Sequence, residues 1–279
     1  MTNGLADLRA PRWVDGLLAP GEIDAAQIED YSNKSATSPF LLVCDHASNR
    51  VPASLNSLGI SRAELQRHIG WDIGALAVAR GMAKRLGGLL IYQAYSRLVI
   101  DCNRPPHVDQ AFPVRIDGTE IPGNASMNRS DAAARVAEVF HPYHAAISAA
   151  LNARVAHKTI LLAIHSYTPF HGDLPEPRPW PVSLLFNKDS RFSHTLAAQL
   201  RQHGIGVGMN QPYVVDDEGD YAIPVHAERR GIAHSLIEVR QDLISDEESE
   251  QHWAKLLSNC AVDAAADWAA EKGRDHGKT

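Results

Sequence analysis

Short apolar-rich runs alternate along this chain with segments of helical periodicity, and that alternation restricts the folds open to it. The runs cover Phe40–Cys44 and residues 89–92, 97–101, 159–164, 182–186 and 233–239. An unbroken stretch such as Phe40-Leu41-Leu42-Val43-Cys44 suits a strand covered on both faces. Between them, Ser61-Arg62-Ala63-Glu64 has the form of a capping box, and helices are predicted over 73–86, 130–155, 190–203 and 246–272. Gly87-Gly88 stops the first of these long helices. The pattern predicts a single α/β domain, with a mostly parallel or mixed sheet and helices on both faces. Its core spans about residues 38–272, behind an irregular lead-in over 1–37. No repeat or linker divides the 279 residues.

In open sheets of this kind ligands sit beyond the carboxyl ends of the strands. Four chemically loaded motifs fall at or near such ends: Asp45-His46, Asn103-Arg104, His165-Ser166-Tyr167 and Glu238-Val239-Arg240. His46 and His165 each follow a strand-like run and are candidate metal ligands. Two imidazoles need a third protein ligand, with water in the remaining position of a catalytic zinc site. Asn49, three residues after His46, carries a neutral amide, a poor zinc ligand. Asp72 is the better candidate, and its alternative role is to cap the helix that begins near Ile73.

The forked guanidinium of Arg104, beside the Asn103 amide, suits a substrate carboxylate. It could instead pair with Asp101 or Asp109, and Arg97 is a candidate second cation for the same crevice. A carboxylate at Glu238, at the end of an apolar strand, is a candidate general base; an ion pair with Arg240 is the alternative. His226, after a polar loop, is a second catalytic candidate, able to stabilise a tetrahedral intermediate or to sit on the surface. The long segments 104–130 and 171–181, rich in Pro, are expected to be loops that close over a substrate or line a groove.

A net charge of −6 offers no basic footprint for nucleic acid. No run is apolar enough to cross a bilayer, and the first residues lack the apolar core of a secretory signal. Three widely spaced cysteines oppose a disulfide framework. A reduced, cytoplasmic protein acting on a small molecule is expected. Composition says nothing of the oligomeric state.

The stretches CDHASNRVP, HIGWDIGA, SRLVIDCNRP, HPYHAAI, LAIHSYTPF, NQPY, HAERRG and LIEVRQDL together resemble the N-formylglutamate amidohydrolase family, over roughly residues 40–245. The order of motifs is also similar to that of the zinc carboxypeptidases and aspartoacylase. The resemblance implies a zinc-exopeptidase-like (phosphorylase/hydrolase-like) α/β fold and one zinc ion. It matches His46 and His165 to the metal histidines, Asn103 and Arg104 to the carboxylate-binding pair, and Glu238 to the catalytic glutamate. It implies hydrolysis of N-formyl-L-glutamate to formate and glutamate, as in histidine degradation. Asn49 departs from the pattern, since those relatives place a metal glutamate there. Two alternatives stand beside this expectation: a carboxypeptidase-like peptidase or amidase on another N-acyl amino acid, and a non-catalytic carboxylate-binding relative.

Overall fold

The computed structural model describes residues 16–32, 38–170 and 177–276. Strands and helices follow the apolar pattern closely. In chain order they are β1 (Ala26–Asp30), β2 (Phe40–Cys44), α1 (Arg62–Leu65), α2 (Ala75–Leu86), β3 (Leu89–Gln93), β4 (Arg115–Ile116), β5 (Thr119–Glu120), α3 (Pro122–Ala125), α4 (Arg129–Arg135), α5 (His141–Asn152), β6 (Ile160–Tyr167), β7 (Val182–Leu185), α6 (Arg191–Gln202), β8 (Val207–Met209), β9 (Ala233–Arg240) and α7 (Glu247–His276). Seven strands form one sheet in the order β1-β3-β2-β6-β9-β7-β8. Neighbours from β3 to β9 are parallel, whereas β1 runs antiparallel to β3 and β7 antiparallel to β9.

Alternate residues of each central strand enter different cores, as the two-residue period of a pleated strand requires. Leu41, Val43, Leu161, Ala163 and Leu236 pack with α5 on one face. Phe40, Leu42, Leu162, Ile164 and Ile237 pack with α2, α6 and α7 on the other. Continuing the alternation, His165 and Tyr167 of β6 and Glu238 and Arg240 of β9 belong to the α5 face at the carboxyl end of the sheet. His165 stands opposite Glu238, and Tyr167 opposite Arg240.

Several expectations are corrected. The lead-in contributes a strand, β1, at the sheet edge. Residues 97–101 are not a strand: Val99 N–H turns back to the Ser96 carbonyl, and Leu98, Val99 and Ile100 are buried as core plugs instead. The helix expected over 130–155 runs over 129–152, with a π-turn at Val136–Phe140 inside it between α4 and α5, where His141 N–H reaches the Val136 carbonyl. Pro142 explains the π-turn, since it has no N–H to offer the Glu138 carbonyl and its ring crowds that oxygen. The freed segment turns the Glu138 side chain onto Leu17 and Leu18 N–H, at 2.6 and 2.9 Å, which ties down the start of the described chain. The loop over 104–130 contains the β4–β5 hairpin and α3, and the polar stretch after β8 ends in a second π-turn, Ala222–Ala227. Part of the Pro-rich segment 171–181 lies outside the described residues. His165 lies inside β6 rather than just past it, because β6 and β9 pair as far as Tyr167 and Arg240, and Glu238 lies near the end of its strand as expected.

Candidate active site

Three strand-end segments and the turn before α2 deliver the inner residues. β2 leads directly into Asp45 and His46, and β6 carries His165. Asp72 is placed by its own N–H, which donates to the His46 carbonyl at 2.9 Å. Gly74, not Asp72, caps α2: its φ is 78°, and a Cβ there would stand 2.3 Å from the Ile244 carbonyl oxygen. The chain can make this turn only with glycine. The Asp72 carboxylate is therefore left for the site rather than for the helix.

His46, Asp72 and His165 are buried, and one ligand atom from each lies within 4.8 Å of the other two. Both rings present Nδ1 to the same oxygen, Asp72 Oδ2, at 3.3 Å from His46 and 2.8 Å from His165. Both use Nε2 against an outer carboxylate: His46 meets Asp101 at 2.7 Å and His165 meets Asp45 at 3.0 Å. A carboxylate behind each ligating imidazole fixes its tautomer and raises its basicity, the usual support of a metal-bound histidine. Asp101 is held by Arg97, at 3.1 and 2.7 Å, and Asp45 accepts from the Tyr143 hydroxyl at 2.7 Å. Burial disfavours charge at every one of these groups, yet mutual attraction prevails. Asp72 and Asp101 lie well below the usual carboxylate range, and His165 well above the usual imidazole range. The cluster thus calls for positive charge between two imidazoles and a carboxylate. Two imidazoles and one carboxylate in this arrangement could hold a metal ion.

Glu238 is buried on the strand next to His165, and its Oε2 has no hydrogen-bond partner. Burial pushes its carboxyl up to about 7, against the pull of His165. This is the environment of a general base. The alternative pairing with Arg240 is not formed; Arg240 binds Asp242 at 2.8 Å and the Arg178 carbonyl. A cavity of about 670 Å³ opens from these residues to the surface, and Arg97, Asn103, Arg104 and Glu238 all line it. Arg104 Nη1 donates to Asp220 Oδ1 and to the Gly219 carbonyl, each at 2.7 Å. Asn103 Nδ2 meets the same Asp220 oxygen at 3.2 Å, while its Oδ1 accepts from Ala222 N–H at 3.0 Å. Arg97 lines the cavity, with Nε and Nη2 on Asp101 and Nη1 3.5 Å from Asp72 Oδ1.

His226 is not brought to the cavity. The π-turn directs it inward, where it is buried and its Nε2 meets His144 Nδ1 at 2.8 Å. His144 Nε2 donates to the Cys102 carbonyl at 2.9 Å, so its Nδ1 must accept from His226. The remaining His226 Nδ1 then has no partner, as observed. Burial pushes His144 down to about 4 and His226 to about 3. The unfolded chain therefore takes up protons below about pH 6.5 that the folded pair refuses, and stability falls as pH drops from there towards 4. The loss is up to about 1.4 kcal/mol per pH unit for each histidine. His226→Gln should remove roughly half of that slope, read as the urea midpoint against pH beside the wild type. An identical slope in the two proteins would contradict the buried neutral pair.

Sequence patterns missed several of these residues. Asp45 opens the Asp45-His46 motif and Asp101 stands just ahead of Asn103-Arg104, so an acid beside a candidate site residue was the available signal for their outer role. Asp220 and Arg178 reach the site from distant segments and carry no local signal, and the HPYHAAI stretch does not mark Tyr143 as a partner of Asp45.

The N-formylglutamate amidohydrolase family model matches residues 38–245. The chain belongs to that family. A gene product of Agrobacterium tumefaciens is similar in structure, with a TM-score of 0.84, 33% identity, and 90% of this chain and 98% of that one covered. An N-formylglutamate amidohydrolase from Ralstonia eutropha JMP134 shares the fold, with a TM-score of 0.65 at 19% identity, covering 89% of this chain and 100% of that one. No curated protein matches. Membership makes the chain an amidohydrolase-type enzyme acting on a small molecule. Among the described residues no helix is long and apolar enough to cross a membrane.

Proposed function

We propose that the protein is a zinc-dependent hydrolase of N-acyl acidic amino acids, with N-formyl-L-glutamate as its substrate and formate and L-glutamate as products. The observation that carries this reading is the meeting of His46, Asp72 and His165 with a buried, unpartnered carboxylate, Glu238, on one face of the sheet. Asp72 fills the place that Asn49 leaves open, so the substitution at Asn49 does not argue for a non-catalytic relative. A bound divalent ion supplies a Lewis acid that polarises the amide carbonyl and acidifies water. Glu238 takes the proton of the attacking water and returns it to the leaving nitrogen. Asp45 and Asp101 hold the two imidazoles in one tautomer. Arg104 and Asn103 hold a substrate carboxylate and so fix the amide over the buried floor. We read this reaction as a step of histidine degradation in the cytoplasm, as the resemblance to the family implies.

The test is a substrate panel: formate from N-formyl-L-glutamate, acetate from N-acetyl-L-glutamate, and glutamate from a glutamyl dipeptide. Formate release is expected to dominate; preferred dipeptide cleavage would favour the peptidase alternative. Arg104→Lys should lower kcat/KM for N-formyl-L-glutamate by about ten- to a hundredfold, because lysine keeps the charge but loses the planar fork. An unchanged value would make the Asp220 pair purely structural.

A further inference from the structure

The outer wall of the cavity carries a third arginine, Arg178, besides Arg97 and Arg104. On the face shared by His165 and Glu238, the next pair of positions is Tyr167 and Arg240. Two residues along a strand is roughly 6.6 Å. Arg178 is fixed at this second level from several sides. Its carbonyl accepts from Arg240 Nη1 at 2.8 Å, and its N–H donates to the Pro169 carbonyl at 2.6 Å. Its guanidinium stands 5.4 Å from the centre of the Tyr167 ring and 5.1 Å from that of Tyr213. Nη1 donates to the Thr168 carbonyl and Nη2 to the Tyr213 hydroxyl, each at 3.1 Å. The Tyr167 hydroxyl is itself anchored on the Trp180 carbonyl. Arg178 is 8% exposed, against 45% for Tyr213, and both line the cavity.

A planar guanidinium held between two rings is preorganised for a flat anion. The Tyr213 hydroxyl, having accepted from Arg178, keeps its proton for an acceptor on the ligand. In an N-acyl glutamate the side-chain carboxyl carbon lies four bonds from the amide nitrogen, roughly 5 Å at about 1.5 Å per bond. With a hydrogen bond added, that reach is comparable to the step from the His165–Glu238 pair to the Tyr167–Arg240 pair, against which Arg178 packs.

We propose that Arg178 and Tyr213 form the receptor for the substrate's distal carboxylate and so select glutamate-like side chains, while Arg104 and Asn103 take the carboxylate beside the scissile amide. The inference rests on the hydrolase reading above. Its test compares kcat/KM for formate release from N-formyl-L-glutamate and from its neutral isostere, N-formyl-L-glutamine, in the wild type, Arg178→Met and Tyr213→Phe. The wild type is expected to prefer the glutamate substrate. Arg178→Met should shrink that preference by about ten- to a hundredfold, the scale of a charged hydrogen bond. Tyr213→Phe, which deletes one hydroxyl and leaves the ring stack, should shrink it by about three- to tenfold. Formate release by the wild type without a preference, or equal losses on both substrates in both variants, overturns the receptor and leaves the hydrolase reading standing. No formate from either substrate with zinc-loaded wild type overturns the hydrolase reading and this inference with it.

Discussion

Glu238→Gln is expected to lower kcat for formate release by about 10²–10⁴-fold, with KM and zinc content near wild-type values. The amide is nearly the same size as the carboxyl and can still hydrogen-bond, so packing between β6 and β9 should survive. What it loses is the ability to accept a proton from water. The expected size follows from the setting: Glu238 is buried, its Oε2 has no partner, and burial lifts its carboxyl to about 7. A base poised near the working pH combines the ionised form with a useful driving force for proton transfer. Because His226 is sealed behind the site against His144, it offers no substitute base. Steady-state kinetics on metal-loaded protein check the prediction, and a fall of less than about tenfold would move the base elsewhere.

His165→Gln is expected to weaken zinc binding by more than about a hundredfold, beyond the range typical of an outer partner of a metal ligand. Glutamine is chosen over alanine because truncation would take a partner from each of two buried carboxylates, Asp45 and Asp72, which alone costs several kcal/mol. The neighbouring variant Asp45→Asn removes only the outer carboxylate, so its loss should fall in the range of about ten- to a hundredfold. Competition with a chromophoric chelator measures both constants. Equal losses in the two variants would mean that His165 supports the site without touching the ion.

The parallel core was legible because unbroken apolar runs such as Phe40–Cys44 have few alternatives to a strand covered on both faces. β1 was not, since Ala26-Gln27-Ile28-Glu29-Asp30 is half polar and becomes a strand only by pairing with β3. Residues 97–101 misled for the opposite reason: Leu98-Val99-Ile100 is apolar enough for a strand, but the turn that aims Arg97 at Asp101 takes precedence. His46, His165, Asn103, Arg104 and Glu238 could be found because strand ends are where such a sheet exposes side chains to a ligand. Asp72 was ambiguous between ligand and helix cap until Gly74 was seen to take the cap. The outer residues were hidden for a physical reason. Tyr143, Asp220 and Arg178 are brought in by the π-turn before Pro142, by the loop before the second π-turn and by the Arg240 anchor, and none of these long-range placements leaves a periodic trace in sequence.

The most direct measurement of the central claim is formate release from N-formyl-L-glutamate by protein stripped with a chelator, dialysed, and then reloaded with one equivalent of zinc. The account predicts that stripping abolishes turnover while the protein stays folded, and that zinc restores it in the wild type but not in His165→Gln. Full turnover by the stripped protein, with metal content below one ion in about a hundred chains by elemental analysis, would contradict a mechanism built on His46, Asp72 and His165.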